Sequence, residues 1–204
     1  MLENDICICK LIDKLKEIND PELTIMVKKL IEERNYLSKI ANIDTLTGLN
    51  NRRILERIRE CSGVVMCDID DFKKVNDTYG HDVGDIVIKR ITEIIKENIR
   101  AKDYVCRFGG DEFLIGFVEC PEKIIDERIE RIREKVLQDE VLTHFKNNVT
   151  ISFGFVINYN LEDIDSLIKK ADEALYESKK NGRNKVTKYE QVKKEKIKKK
   201  NSTE

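Results

Sequence analysis

The order of apolar segments along the chain is the feature that most restricts its fold. Residues 63–67 form a continuous apolar run that ends in acidic residues, which is typical of a buried central strand. Two further strand-like runs, 104–108 and 113–118, are separated by Gly-Gly-Asp-Glu, which predicts a hairpin whose glycines supply positive φ. Strands are also predicted at 148–158 and 185–189.

Amphipathic segments separate these strands. Apolar residues recur at helical spacing between residues 83 and 99, between 125 and 136, and between 164 and 175. A chain that mixes helices with a hairpin and further strands cannot be a purely parallel βαβ repeat. The order therefore predicts an α/β protein of the α+β type, with a mixed central β-sheet flanked by helices.

An N-terminal helical extension is predicted to precede this domain. Asp20-Pro21 is typical of an N-cap followed by proline in the first helical turn. The apolar residues that follow alternate at spacings of three and four, with an interruption at Glu33: Leu23, Met26, Leu30, Leu37 and Ile40. This pattern fits a short coiled coil joining two copies of the chain and, equally, a helix packed on its own domain. A shorter amphipathic pattern, with Leu11, Leu15 and Ile18, precedes it.

Three regions are expected along the 204 residues. Residues 1–40 would form the helical extension, residues 41–190 the sheet domain, and residues 191–204 a basic, disordered tail. The formal net charge is only −1, which argues against a nucleic-acid polymer as the partner. The sequence contains no apolar run of membrane-spanning length and no secretory signal, so a cytoplasmic location without a membrane partner is expected.

The cysteines support a reducing compartment. Cys67, Cys106 and Cys120 lie in apolar strand-like runs, where cysteine behaves as a small buried hydrophobe. Cys7 and Cys9 are spaced closely enough to share a metal ion, but no second pair has the spacing of a zinc site.

Three acidic residues are candidates for a cation site. Asp68 ends the predicted central strand, and Asp111 and Glu112 lie in the hairpin turn. If the hairpin pairs beside that strand, three carboxylates converge, which is unfavourable unless cations lie between them. Oxygen ligands suit Mg²⁺, and two such ions support phosphoryl transfer. Taken alone, each acid is more typical of a solvated surface position.

Basic residues and a polar segment complete the candidate site. Lys73 follows the acidic strand end, and Lys179 and Arg183 follow the last amphipathic helix, where they suit a triphosphate but also complement the helix dipole. Asp85 can accept hydrogen bonds from guanine N1–H and its exocyclic amine. It also lies near a predicted helix N-terminus, so capping is an equally supported interpretation.

Five blocks of sequence share the order and spacing of one known family. They are DTLTGLNNRR at 44–53, DIDDFKKVNDTYGHDVGD at 68–85, GGDEF at 109–113, VTISFGF at 149–155 and ADEALYESKKNGRNKV at 171–186. Together they resemble the GGDEF diguanylate cyclases over residues 41–190. The resemblance implies the nucleotidyl cyclase fold, which is similar to a polymerase palm. It also implies condensation of two GTP into cyclic di-GMP and two pyrophosphates across a homodimer, because each chain holds one GTP.

The resemblance also implies roles for individual residues. Two Mg²⁺ ions per half-site, with Mn²⁺ as an alternative, would be bound by Asp68, the Ile69 carbonyl and Asp111. Asp111 would also take the proton from the 3′-hydroxyl, with Glu112 close by and Lys73 stabilising the transition state. Substrate-binding roles fall on the remaining matched positions, which are Phe72, Lys73, Asn76, His81, Asp85, Lys179 and Arg183.

A second site is implied just before the hairpin. Arg100 and Asp103 match the family's R-x-x-D inhibitory site, where product binds away from the active site, and Arg131 is a candidate for an additional contact. Two alternatives to a product-inhibited diguanylate cyclase stay open. The chain could be a catalytically silent cyclic di-GMP receptor, or a related cyclase that makes a different cyclic nucleotide.

Overall fold

The computed structural model describes residues 14, 20–58, 60–145 and 148–193, apart from the side chain of Lys39. The predicted apolar pattern before residue 19, the Cys7 and Cys9 pair, and the tail from residue 194 lie outside these residues. The chain divides into two compact units, Met1–Ile43 and Asp44–Glu204. Within the described ranges, no helix has the length and apolar character needed to cross a membrane.

The first unit contains helix α1, Pro21–Ala41. The backbone N–H of Leu23 donates to the Asp20 side chain at 3.0 Å, which confirms Asp20 as the cap and Pro21 as the first helical residue. The apolar residues of the predicted seam are exposed, and Leu30 and Leu37 are 58% and 59% accessible.

The second unit is built on a six-stranded mixed sheet with the order β1-β3-β4-β2-β5-β6, which confirms the predicted architecture. Strand β2 lies inside the sheet and pairs antiparallel with β4 and β5, whereas the edge pairs β1–β3 and β5–β6 are parallel. The strands are β1 Asn50–Asn51, β2 Gly63–Ile69, β3 Tyr104–Arg107, β4 Glu112–Phe117, β5 Ile151–Ile157 and β6 Val186–Lys188.

Helices cover both faces of this sheet. The α-helices of the unit are α2 Phe72–Tyr79, α3 His81–Asn98, α4 Glu122–Gln138, α5 Glu140–Thr143 and α6 Ile164–Lys180. A 3₁₀ helix, Arg52–Arg57, follows β1. Residues 189–193 are also helical, and Val192 is buried, so the first residues of the expected disordered tail are ordered.

The central strand explains why the sequence shows a continuous apolar run. Every residue of β2 is buried, because side chains alternate between two separate cores. Val65 and Cys67 join the core under α3 and α4, whereas Val64 and Met66 join the core that includes α6. Packing on both cores fixes the position of the acidic residues at the C-terminal end of β2.

The hairpin between β3 and β4 is confirmed, but the expected reason for its glycines is wrong. Neither Gly109 nor Gly110 is among the residues with positive φ. A Cβ atom at Gly109 would lie 2.5 Å from Glu112 Oε2. A side chain at this position would therefore displace the Glu112 carboxylate from its place over the turn.

Candidate active site

The register of the sheet brings Asp68 beside the hairpin acids. In β2, Asp68 lies opposite Glu112 of β4 and opposite Ser152 of β5. The backbone N–H of Ile69 donates to the Asp111 carbonyl at 3.2 Å. The end of the central strand and the hairpin turn therefore form one surface, as a shared cation site requires.

The environment of Asp68 is unfavourable for a negative charge. Asp68 is 7% exposed, and burial raises its pKa to about 6, with further contributions from the charges of Asp111 and Glu112. Lys179 Nζ lies 2.8 Å from Asp68 Oδ2 and opposes this rise. The protein therefore already provides one cation at the position where a metal-bound triphosphate is expected.

A cavity of about 210 Å³ brings together seven of the residues predicted from the sequence. Residues from β2, the start of α2, the hairpin and the end of α6 line it. Those predicted from the sequence are Asp68, Ile69, Phe72, Lys73, Asp111, Lys179 and Arg183. Glu112 is not part of the lining, since its carboxylate lies over Gly109.

The donors around this cavity fit a hard divalent cation. Asp68 and Asp111 offer carboxylate oxygens. Ile69, which lies between Asp68 and Asp70 in the sequence, also lines the cavity and has a backbone carbonyl to offer. No group of three or more acidic, histidine or cysteine side chains in the described part of the chain forms a complete metal site. Mg²⁺ does not require one, because it commonly uses one or two carboxylates together with water and substrate phosphates.

The predicted base-binding residues lie on the next two helices. Asn76 is on α2, His81 begins α3, and Asp85 follows in the second turn of α3. The Asn76 side-chain oxygen is buried without a hydrogen-bond partner in the protein. It lies against Gly84, where a Cβ atom would approach it to 1.9 Å. Asn76 therefore presents an acceptor without a protein donor, next to the turn that carries Asp85.

Arg100 and Asp103 form a tight internal pair. Arg100 Nη2 lies 2.9 Å from Asp103 Oδ1, and the Arg100 backbone N–H also donates to this carboxylate. Burial opposes ionisation of Asp103, but hydrogen bonds from Arg100 and the backbone N–H of Val118 lower its pKa. Asp103 therefore links the loop before β3 to the residue that follows β4, through the backbone N–H groups of Arg100 and Val118.

Two arginines of α4 differ in their relation to this pair. Arg128 Nη1 lies 3.8 Å from Asp103 Oδ2. Arg131 instead lines a separate groove of about 960 Å³ together with Glu130 and Lys188. Arg128 was not predicted from the sequence, although its position one helical turn before Arg131 is the signal that would have included it.

The sequence matches the profile of one protein family over most of its length. The profile described as diguanylate cyclase, GGDEF domain, matches residues 41–185. The chain belongs to the GGDEF family. This membership explains why the acidic strand end, the hairpin and the basic turn occur in one fold.

Curated relatives agree with the family assignment. Diguanylate cyclase A of Treponema denticola is 44% identical over 131 residues, which are 63% of this chain and 35% of that protein. The response regulator PleD of Caulobacter vibrioides is 34% identical over 199 residues, which are 84% of this chain and 43% of that protein. The chain thus spans less than half the length of these relatives.

Solved GGDEF structures show the same fold. The coiled coil and GGDEF domain of DgcB from Caulobacter crescentus, crystallised with c-di-GMP, has a TM-score of 0.70 and 31% identity. That match covers 82% of this chain and 95% of the DgcB chain. Diguanylate cyclase SiaD of Pseudomonas aeruginosa, in complex with its activator SiaC, has a TM-score of 0.68 and 29% identity, covering 90% of this chain and 75% of SiaD.

Three residues near the GGDEF hairpin were not predicted as functional. Arg107 of β3 donates to the Gly110 carbonyl at 2.7 Å and pairs with Asp44 at 3.2 Å. Arg107 therefore connects Asp44, the first residue of the second unit, to the hairpin turn. Asp70 lines the cavity as well, and its hydrogen bonds connect β2 to β5 and to the turn after α6.

Proposed function

We propose that this GGDEF protein is a diguanylate cyclase that condenses two GTP into cyclic di-GMP and two pyrophosphates. The observation that carries the proposal is the cavity at the end of β2, which is lined by Asp68 and Asp111 together with Lys179 and Arg183. Acids that suit a divalent cation and bases that suit phosphates converge there, which is the combination that nucleotidyl transfer requires. Proteins named as diguanylate cyclases among the relatives support the same reaction.

The residues of the cavity would divide the chemistry between them. Asp68, the Ile69 carbonyl and Asp111 would hold two Mg²⁺ ions, with Mn²⁺ as an alternative. When bound, these ions would neutralise phosphate charge and stabilise the oxygens that attack and leave. Lys73, Lys179 and Arg183 would bind the triphosphate through their side chains. Phe72 would bind it through its backbone.

Nucleophile activation and base selection would fall on other side chains. Asp111 would accept the proton of the 3′-hydroxyl, with Glu112 contributing negative charge nearby. Asn76 offers an acceptor to the guanine amine, and Asp85 would accept from N1–H. Adenine has no N1–H, so an ATP base would leave Asp85 without its donor. His81, at the exposed start of α3, would contact the substrate at the rim.

Two chains are required because each cavity holds one GTP. The 3′-oxygen of each nucleotide would attack the α-phosphate of the other, so the two half-sites must face each other in a homodimer. GTP is a cytoplasmic nucleotide, which fits the location expected from the sequence.

A product assay tests this function. Purified protein with GTP and Mg²⁺ should release two pyrophosphates for each cyclic di-GMP, and removal of the metal by a chelator should stop both. Asp111→Asn should remain folded and lose at least about 100-fold in rate, since a general base contributes at least that factor. A dimeric wild-type sample that yields no product would overturn the proposal, and the receptor alternative would then apply if it still binds cyclic di-GMP.

The same assay tests the identity of the product. With equal GTP and ATP, mass analysis should find cyclic di-GMP without mixed or adenine-only rings. A mixed ring would show that Asp85 does not select the base and would favour the alternative of a different cyclase product.

We also propose product inhibition at the Arg100–Asp103 site, where the buried Asp103 holds Arg100 in place, with Arg131 as an additional contact. Arg100 supports this role because its side chain is 31% exposed and ends in a guanidinium that suits phosphate or a guanine edge. Cyclic di-GMP should inhibit the wild type, and Arg100→Ala should be inhibited far less at an unchanged initial rate. Equal inhibition of both proteins would place the inhibitory contact elsewhere.

A further inference from the structure

The turn after α6 has an unfavourable backbone conformation. Gly182, Arg183 and Asn184 have φ values of 107°, 61° and 48°. Three successive residues in this region are unusual, and although glycine and asparagine tolerate it, the Arg183 side chain disfavours it. Arg183 lines the cavity of the proposed active site, so whatever fixes this turn also fixes one of its cations.

Contacts from outside the turn hold it in place. The backbone N–H of Arg183 donates to the Ser178 carbonyl at 3.1 Å, which only continues the helix end. The backbone N–H of Asn184 donates to Asp70 Oδ2 at 2.9 Å, and its side chain accepts from Arg133 Nη1 at 3.0 Å. Asp70 therefore connects the backbone of this turn to the strand end that carries Asp68, and the Arg183 side chain lies 3.7 Å from Asp71 Oδ1 next to it.

Asp70 is itself rigidly held. It is 7% exposed. Ser152 Oγ donates to Oδ1 at 2.7 Å, and Thr150 Oγ1 donates to Oδ2 at 2.7 Å. Its backbone N–H donates to the Thr150 carbonyl at 2.9 Å. Both carboxylate oxygens thus have protein donors, which distinguishes Asp70 from a residue whose oxygens are available to substrate.

We propose that Asp70 is a positioning residue that fixes the turn at 182–184 and thereby directs Arg183 toward the triphosphate. The inference rests on the proposed function, which assigns Arg183 to the triphosphate. Without the Asp70 acceptor, the turn can leave its unfavourable conformation. Arg183 must then be ordered again each time a nucleotide binds, and this cost lowers affinity for the phosphates alone.

Binding of 3′-deoxy-GTP and of GMP tests the proposal, because 3′-deoxy-GTP cannot condense and GMP lacks the outer phosphates. Asp70→Ala should weaken 3′-deoxy-GTP binding by about tenfold and change GMP binding by less than about twofold. Asp70→Asn should restore most of the affinity, since its amide oxygen can accept from Asn184 while its NH₂ group donates to Ser152. Equal weakening of both ligands would overturn the proposal, because it would indicate general structural damage.

Further variants separate positioning from folding. In an Arg183→Ala background, Asp70→Ala should cause no additional loss of 3′-deoxy-GTP binding, and an undiminished loss would contradict the mechanism. Ser152→Ala is the matched control, since it removes one donor to Asp70 and leaves the Asn184 contact. It should preserve the affinity ratio of the two ligands. If Asp70→Ala does not fold, Asp70→Ser should show the same selective loss, because its shorter side chain keeps a polar group beside Ser152 but leaves the Asn184 N–H without its acceptor.

The two proposals fail in different ways. Wild-type protein that binds 3′-deoxy-GTP but makes no cyclic di-GMP overturns the enzymatic proposal and leaves the role of Asp70 testable by binding. Protein that makes cyclic di-GMP but loses both ligands equally in Asp70→Ala overturns only the role of Asp70. Wild-type protein that binds neither ligand overturns both.

Discussion

At the scale of single residues, Asp68 and Asp103 show how neighbours decide the charge of a buried carboxylate. Both are less than a tenth exposed. Asp68 meets burial and two like charges with only Lys179 in opposition, so its pKa rises to about 6. Asp103 receives a guanidinium and two backbone N–H groups, so its pKa falls despite burial. A bound cation would therefore favour the charged form of Asp68, whereas the charge of Asp103 is already stabilised by groups of the protein.

The Asp103 network predicts a pH-dependent stability. A carboxylate with a lowered folded-state pKa stabilises the protein above its usual value of 3.8, and this stability is lost as pH falls through the folded-state pKa. Asp103→Asn should therefore reduce the free energy of unfolding by about 2 kcal/mol near neutral pH, the typical worth of a charged hydrogen bond. Below the folded-state pKa the difference should approach zero.

Denaturant unfolding of both proteins across this pH range measures the effect. Glu119→Gln is the matched control, because Glu119 pairs with Lys102 at the surface and is 81% exposed. This variant should unfold like the wild type at each pH, since exposed pairs contribute little. A difference between Asp103→Asn and wild type that does not change with pH would show that shape, and not charge, explains the loss.

Sequence patterns could predict residues whose chemistry is unusual for their position. Acids at the end of an apolar strand and on a glycine turn identified Asp68 and Asp111, and the cavity brings both together. Asp70 could not be singled out, because its role depends on Thr150, Ser152 and Asn184, which are more than 75 residues away in sequence. For Gly109, only the coordinates show that φ is not positive and that the neighbouring group is the Glu112 carboxylate.

At the scale of elements, the close approach of α6 to β5 supports the position of Lys179. A Cβ atom at Gly154 would lie 2.0 Å from the Leu175 backbone nitrogen and 2.3 Å from the Ala171 carbonyl oxygen. Both atoms belong to the helix backbone and cannot rotate away. Gly154 thus sets the distance between the helix and the sheet, and with it the place where the helix presents its C-terminal cations.

Gly154→Ala should therefore destabilise the domain strongly. We expect a loss of about 3 kcal/mol in the free energy of unfolding, the upper part of the usual range for overpacking. Gly116→Ala is the matched control, because Gly116 also lies in a central strand but its Cβ would find its nearest neighbour at an ordinary 3.5 Å. Thermal or denaturant unfolding compares the two, and equal effects would show that the helix can shift to admit the methyl group.

Element limits followed from the sequence where apolar periodicity was strong. The helices before and after the hairpin and the central strand lie where predicted, because burial on one or two faces leaves a clear pattern. Strand β1 was not predicted, since Asn50 and Asn51 carry no apolar signal and pair with β3 through the backbone. The parallel edge pairs were missed for a similar reason, because strand direction depends on tertiary pairing.

At the scale of the whole molecule, the proposed reaction needs two chains. All residues proposed to bind one GTP lie within a single sheet domain, and the reaction condenses two GTP. The apolar residues of α1 are exposed along the predicted seam, so this helix has apolar surface that a second copy of the chain could cover. Assembly through α1 would then limit the rate at low protein concentration.

Substitution of the seam tests this assembly. Leu30→Glu should weaken the dimer by at least about tenfold, because an apolar contact is replaced by two like charges across the seam. Ile25→Glu is the matched control, since Ile25 is 66% exposed on the same helix but is not one of the seam positions. Sedimentation should therefore find a monomer only for Leu30→Glu, and its specific activity should rise with protein concentration toward the wild-type value. A monomeric variant that keeps full activity at every concentration would contradict the requirement for two facing half-sites, because one chain would then complete both bond-forming steps.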